Sequence, residues 1–211
     1  HEFEVQENAF EVQVLNPSFS DATIRRMVEN QQVKLNDLMA FTRMIGKQDG
    51  AGVVTRKDFA EEMPRGAGGY DMPVMTFGAL RGQNRLEDRS VLLSLGRLLV
   101  PAEAAEGDAA AIYPDIQLVD GGKDYFRTSA KYLVRTGDGK LREVVRDGVE
   151  MRHPDARVEF EKNQRLLGEY KQAKGRLRAV RADQKKLVLN LCNVSTGEPV
   201  DMLVDNLTDL I

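Results

Sequence analysis

A low-complexity segment near the middle of the chain most constrains how these 211 residues can fold. Residues 101–111 read PAEAAEGDAAA, and a stretch of alanines and acids behind a proline is typical of a linker. The chain is long enough for one large domain or two small ones. We therefore predict a domain boundary at the segment, with a helical domain over residues 17–100 and an α/β domain over residues 112–211.

The first part of the chain combines an extended start with helical spacing. Apolar and polar side chains alternate in residues 1–16, notably at Phe10 and Val12, which predicts a strand or an extended arm. Ser20 is a good N-cap, and the apolar residues behind it recur at helical spacing. Residues 86–100 carry leucines at the same spacing, so we predict a further helix there.

The second part of the chain indicates a mixed α/β fold. The sequence Thr-Gly-Asp-Gly at 136–139 predicts a hairpin turn between two strands. A charged run from residue 156 has an apolar line at helical spacing and predicts a long helix. Residues 185–194 predict a strand, and residues 198–211 predict a short acidic helix. The predicted fold class is α+β, with a helical N-terminal part and a mixed α/β C-terminal part that contains an antiparallel hairpin.

Residues 46–63, GKQDGAGVVTRKDFAEEM, end like a calcium-binding helix–loop–helix. With Asp58 at loop position 12, Gly52 falls at position 6, where an EF-hand loop needs glycine for its sharp turn. Phe59 follows where the exiting helix usually carries an aromatic residue. Residues of about 35–63 therefore resemble a degenerate EF-hand, and the resemblance implies a helix–loop–helix within the N-terminal part.

The loop itself lacks several of the oxygens that calcium needs. Lys47 stands at position 1 and Ala51 at position 5, where oxygen ligands belong. Asp49, Thr55 and Asp58 remain as the candidate side-chain ligands. Because a calcium site takes about six to eight oxygens, we predict that the loop holds no metal. An ordinary glycine turn between two helices explains the same residues.

A second motif is the tripeptide His153-Pro154-Asp155. It resembles the tripeptide that J-domain co-chaperones place between two antiparallel helices to stimulate Hsp70. The resemblance would cover about residues 124–174. Glycines upstream disfavour the first of those helices, however, and favour a hairpin. On that interpretation the tripeptide is structural, and Asp155 caps a helix that begins at Ala156.

Basic side chains are concentrated in residues 171–186, KQAKGRLRAVRADQKK. Lys171, Lys174, Arg176 and Arg178 are candidate contacts for an acidic partner or a phosphate backbone, although a solvated helix face explains the same pattern. The whole chain has 30 basic and 33 acidic residues, a net charge of −3. That balance argues against a general nucleic-acid binder, which would concentrate positive charge.

Composition excludes several other classes. The single cysteine, Cys192, rules out an internal disulfide framework and a thiolate zinc cluster, and it favours a reducing, intracellular setting. We expect it to be a buried strand residue. With two histidines, one of them His1, the chain offers no Ser/His/Asp or Cys/His catalytic set. No apolar run approaches the roughly 18–20 residues that span a bilayer.

The sequence therefore predicts a non-catalytic, calcium-independent interaction or assembly protein of the cell interior, without cofactors. Such a scaffold would pack against other proteins in a larger assembly or against copies of itself. A cytoskeletal or ciliary complex and a virion or tail assembly are two such settings. A J-domain-like co-chaperone and an enzyme of unrecognised type are the alternatives, since paired carboxylates can carry acid–base catalysis.

Overall fold

Parallel β-strands dominate the computed structural model. The structure describes residues 8–16, 50–61, 72–96, 100–116, 125–179, 182–206 and 209. In chain order the strands are β1 Ala9–Asn16, β2 Ala51–Thr55, β3 Val74–Thr76, β4 Val91–Leu95, β5 Phe126–Arg135, β6 Leu141–Arg152, β7 Lys186–Leu191 and β8 Met202–Asn206. The helices of the described residues are α1 Lys57–Ala60, α2 Ala102–Ile112 and α3 Ala156–Arg176.

The main sheet has six strands in the order β3-β2-β4-β7-β1-β8, and every neighbouring pair in it is parallel. Strands β2 and β4, with the sequences AGVVT and VLLSL, are buried along their whole length. Parallel sheets are normally covered on both faces, and their strands therefore read as continuous apolar runs. The register places Leu93 of β4 between Val53 of β2 and Leu189 of β7.

The two faces of this sheet pack differently. On one face, Leu92 and Val188 lie in a buried cluster with Tyr170, Ala173 and Leu177, which come from helix α3 and its C-cap. On the other face, the alternate residues of the same strands form a second cluster that includes Phe59 of α1, Met72, Val12, Val53, Leu93 and Leu189. The sheet thus lies at the centre of the described residues, and α3 covers the face that carries Leu92 and Val188.

Strands β5 and β6 form a separate antiparallel hairpin. Its inner face rests on the main sheet, since Ala130 and Tyr132 pack with Leu15 of β1 and Leu203 of β8. At its other end, Arg135 N donates to the carbonyl of Val200 at 2.8 Å. Helix α2 packs against α3 through Ala105, Ala109 and Val158. No helix in the described part of the chain is long and apolar enough to cross a membrane.

The predicted α+β class with a helical N-terminal part is wrong. Residues 51–55, which the EF-hand resemblance placed in a loop between helices, form the interior strand β2. The helix predicted over residues 86–100 is also wrong, because strand β4 occupies residues 91–95. A short apolar run that is buried on both faces has no alternation, so its leucines also fit helical spacing. The helix predicted behind Ser20 lies outside the described residues.

Two further segments differ from their predictions, and a third is confirmed as a strand over residues 9–16. The linker predicted at residues 101–111 is almost entirely helix α2, and the sheet takes strands from both sides of that proposed boundary. Residues 1–16 were predicted as a strand or an arm, and residues 9–16 form β1, an interior strand of the sheet. The acidic helix predicted for residues 198–211 is wrong over residues 202–206, which form strand β8.

Three other predictions in the C-terminal half are confirmed: the hairpin, the long helix and the strand after it. The hairpin is present with Thr136–Gly139 in its turn, where Gly139 N donates to the carbonyl of Thr136 at 2.8 Å. Gly139 has a φ of +80°, a conformation that side chains with a Cβ rarely adopt. The long helix begins at Ala156, and β7 lies within the strand predicted over residues 185–194.

Candidate functional site

A cavity of about 220 Å³ lies between helix α3 and the sheet. Strands β1, β4 and β7 form its floor, helix α3 forms its roof, and the loop after β7 closes one side. Its walls are partly apolar and partly charged. The lining residues are Glu11, Leu92, Ser94, Leu167, Tyr170, Lys171, Ala173, Lys174, Val188, Asn190, Thr196 and Glu198.

The floor contains polar side chains where a parallel sheet normally has apolar ones. The register aligns Ser94 of β4 with Asn190 of β7, and Asn190 with Gln13 of β1. All three are buried. Buried polar side chains are more informative than exposed apolar ones, because each must be compensated by a partner. This row crosses the sheet near the carboxyl ends of β4 and β7.

A buried ion pair connects the floor to the roof. Lys174 Nζ lies 2.9 Å from Glu11 Oε2, and the two side chains are 18% and 5% exposed. The other carboxylate oxygen, Oε1, accepts a hydrogen bond from Asn190 Nδ2 at 2.6 Å. Because a buried charge needs partners, these contacts fix Glu11 and hold α3 over β1.

Two oxygens in this site have no hydrogen-bond partner among the described residues: Ser94 Oγ and Glu11 Oε2. The contact of Lys174 with Oε2 is close enough for an ion pair but does not have hydrogen-bond alignment. Buried polar atoms are satisfied in the great majority of native structures. Both oxygens belong to residues that line the cavity, so a molecule inside the cavity can form hydrogen bonds with them.

The rim of the cavity carries a second ion pair, and Tyr170 anchors helix α3 at the inner end of the cavity. Lys171 Nζ lies 3.0 Å from Glu198 Oε1, with both side chains substantially exposed. The hydroxyl of Tyr170 lies 2.8 Å from the carbonyl of Gly96 and 2.7 Å from Cys192 Sγ. Cys192 is buried as predicted, but it lies directly after β7 instead of within a strand. The contacts of Tyr170 fix the distance between helix α3 and the strands beneath it.

The motif His153-Pro154-Asp155 lies elsewhere, in the turn between β6 and α3. His153 Nε2 is 3.0 Å from Glu106 Oε1 of helix α2, and both side chains are buried. Asp155 accepts a hydrogen bond from Arg157 N at 2.8 Å, which confirms the predicted cap. A strand precedes the tripeptide, whereas a J-domain has a helix there.

Of the three candidate calcium ligands, the structure describes the side chain of Thr55. Thr55 lies in β2, is fully buried, and donates its hydroxyl to the carbonyl of Leu95 at 3.1 Å. Asp58 lies in the short helix α1. Asp49 falls outside the described residues. The described part of the chain holds no group of three or more His, Cys, Asp or Glu side chains that could bind a metal ion.

Three of the four basic candidates pair with carboxylates of this same chain. Lys171 and Lys174 make the two ion pairs of the cavity, and Arg178 Nη1 lies 2.5 Å from Glu87 Oε1. Arg176 lies in the last turn of α3. The run predicted as a partner surface thus supplies two lysines to the cavity.

Sequence reasoning missed the polar residues of the floor: Glu11, Ser94 and Asn190. The available signal is the serine inside VLLSL and the asparagine inside KLVLNL, since a polar residue within an apolar strand run requires a partner. This signal identifies a site only once the strand register shows that Ser94 and Asn190 are neighbours.

A second surface of interest is the outward side of the hairpin. We call it the outer face, and it comprises Lys131, Leu133 and Arg135 of β5 with Leu141, Glu143 and Val145 of β6. Leu141 is 54% exposed and Val145 is 47% exposed. Lys131 Nζ lies 3.1 Å from Glu143 Oε1 across the strands. The face therefore presents aliphatic side chains around a charged pair.

Comparison with known proteins gave no match: no protein-family model, no curated protein and no solved structure is significantly similar to this chain.

Proposed function

We propose that this chain is a non-catalytic interaction and assembly protein, and that its neighbour in the assembly is a second copy of itself. The observation that supports this proposal is the outer face of the hairpin, on which Leu141 and Val145 are exposed on either side of Glu143. Protein–protein interfaces combine apolar and polar side chains in one contiguous surface. Scattered single apolar residues need no explanation, but an apolar group on one face of a hairpin does.

The charge of the hairpin supports a neighbour of acidic character. Residues 126–152 contain seven Lys or Arg and four Asp or Glu, which gives a formal charge of +3 within a chain of −3. The remaining residues therefore carry −6. A second copy offers a remainder of net negative charge, and opposite net charges accelerate and orient an encounter.

The same charges favour a head-to-tail arrangement. Two hairpins that met outer face to outer face would bring together patches of equal positive charge, which is unfavourable. A hairpin that packs against the acidic remainder of the next copy leaves its own acidic surface open for a third. Such heterologous contacts form rings or filaments, which suits a component of a larger assembly.

The proposal has two further parts, calcium independence and an intracellular location, and each is supported by a particular residue. Calcium independence is supported by Thr55, whose hydroxyl is engaged by the carbonyl of Leu95 and is enclosed in the sheet. An intracellular location is supported by the single cysteine, because secreted chains commonly pair their cysteines in disulfides.

Sedimentation velocity on the purified chain tests the proposal. From micromolar to submillimolar protein, we expect the mean mass to rise with concentration. Raising the salt from about 0.1 M to 1 M shortens the screening length from about 10 Å to 3 Å and should reduce the association. A monomer at every concentration and both salt levels would show that the chain does not assemble with itself.

A further inference from the structure

We infer that the cavity beneath helix α3 binds a small zwitterion, namely a free amino acid with an aliphatic side chain. The inference is independent of assembly through the hairpin, because no residue of β5 or β6 lines the cavity. It starts from two oxygens without a hydrogen-bond partner among the described residues, Ser94 Oγ and Glu11 Oε2, the second of which is in the ion pair with Lys174. Both belong to buried side chains on the floor, so a molecule in the cavity can supply the missing hydrogen bonds.

The position in the fold is one at which sheets of this kind hold ligands. Ser94 and Asn190 are the penultimate residues of the neighbouring parallel strands β4 and β7. In open parallel sheets, ligands characteristically bind at the carboxyl ends of the strands. The volume of about 220 Å³ is below the roughly 300–1,000 Å³ of pockets for drug-sized ligands, so the occupant is smaller.

The charged residues that line the cavity favour a ligand that carries both a positive and a negative group. Glu11 and Glu198 contribute two carboxylates, and Lys171 and Lys174 contribute two ammonium groups. A lone anion or a lone cation would face like charges on the lining. A zwitterion can instead place its ammonium group against Glu11 Oε2 and its carboxylate against the Lys174 ammonium, while the Ser94 hydroxyl accepts from the ammonium group or donates to the carboxylate.

The apolar residues that line the cavity indicate which kind of side chain the bound amino acid has. Leu92 and Val188 on the floor and Leu167 and Ala173 on the roof form an apolar wall without hydrogen-bonding groups. A polar ligand side chain placed there would lose its hydrogen bonds to water without replacement, whereas an aliphatic one gains from burial. Valine and leucine are therefore the natural probes, and aspartate and lysine are the natural negative controls.

Isothermal titration calorimetry with L-valine and L-leucine tests the inference directly. Valinamide lacks the carboxylate, and isovalerate lacks the ammonium group. We expect at least one of the two amino acids to bind, and each singly charged analogue to bind about tenfold more weakly or worse, because it loses a charged contact. An absence of binding by both amino acids at millimolar concentration would mean that the cavity holds only water. Equal binding of the analogues would also overturn the inference.

Variants localise the binding. Lys174→Met should abolish it, but this change leaves Glu11 buried without its cation and can impair folding. Ser94→Ala is the milder variant, since it removes only the unpartnered hydroxyl, and it should weaken binding severalfold in a folded protein. Lys131→Met removes the same charge from the hairpin and should bind like the wild type. Binding that is unchanged in folded Ser94→Ala and Lys174→Met would refute the site.

Discussion

His153 and Glu106 form a buried contact that ties the turn after β6 to helix α2. His153 Nε2 lies 3.0 Å from Glu106 Oε1, and the two side chains are 0% and 4% exposed. On the other side of the ring, Asp155 N donates to Nδ1 at 2.9 Å. An Nδ1 that accepts cannot also carry the proton, so Nε2 carries it and donates to Glu106. With this burial and these partners, the ring of His153 is not exposed on the surface.

The first prediction concerns that contact. In Glu106→Leu the Nε2–H of His153 loses its acceptor inside the protein, which typically costs about 1–3 kcal/mol. We expect urea unfolding to show a loss of this size. The matched control is Glu103→Leu, an exposed position on the same helix, which should change stability by no more than about 0.5 kcal/mol. Equal effects of the two substitutions would show that the contact does not stabilise the fold.

Asp155 gives a prediction about pH. Hydrogen bonds from the Arg157 side chain and from Arg157 N lower the pKa of Asp155 from 3.8 to about 2. Because the folded pKa lies below the unfolded one, the ionised carboxylate stabilises the fold fully above pH of about 4 and progressively less towards pH 2. Asp155→Ala should therefore lower the urea midpoint at neutral pH, and the difference from wild type should shrink on acidification. Asp155→Asn, which still caps, should retain more stability at neutral pH. A difference that does not depend on pH would contradict this account.

Gly52 gives a prediction about packing. A Cβ at this position of β2 would lie 2.3 Å from Leu86 Cδ2, and Leu86 is fully buried and has little room to move. Gly52→Ala should therefore destabilise by about 1–3 kcal/mol, as overpacking does. In contrast, Gly107 lies in helix α2 with no atom near its Cβ position, and Gly107→Ala should stabilise by about 0.5–1 kcal/mol. Chemical denaturation of both variants measures the contrast, and a neutral Gly52→Ala would show that Leu86 does not approach the strand so closely.

The sequence predicted those parts of the fold whose signals are local. The turn at residues 136–139 specifies the hairpin within a few residues, and Asp155 with the apolar spacing behind it specifies helix α3. The main sheet has no such signal, because Val91 pairs with Ala51 on one side and Leu187 on the other, far away in the chain. A strand buried on both faces also loses the alternation by which strands are recognised.

The errors at the predicted linker and at the cavity have different physical origins. Alanine has the highest helix propensity, so residues 101–111 become a helix once Ala105 and Ala109 can be buried against α3. Composition alone does not show whether that neighbour exists. The cavity depends on the register that brings Ser94 beside Asn190, and this register comes from the tertiary fold.

The calcium prediction also stays open to direct measurement. Lys47 and Ala51 replace oxygen ligands of an EF-hand loop, and Thr55 donates its hydroxyl within the sheet. We therefore expect calorimetric titration of calcium to show no site tighter than about 10 μM, the weak limit of sensor sites. If a tighter site appears and is lost in Asp58→Asn, the loop binds calcium after all.

The outer face of the hairpin gives the last prediction. In the proposed assembly Leu141 and Val145 are the exposed apolar part of the contact, so the double variant Leu141→Ser/Val145→Ser should remain monomeric where the wild type associates. Both side chains are exposed, and each change should alter the stability of the monomer by no more than about 0.5 kcal/mol. The control is Ile112→Ser, which removes an apolar side chain that is 57% exposed on helix α2 and is not part of the hairpin. It should associate like the wild type. Sedimentation velocity compares the three proteins at one concentration, and the proposal fails if the double variant associates normally. If Ile112→Ser alone becomes monomeric, the contact surface lies on α2 instead of on the hairpin.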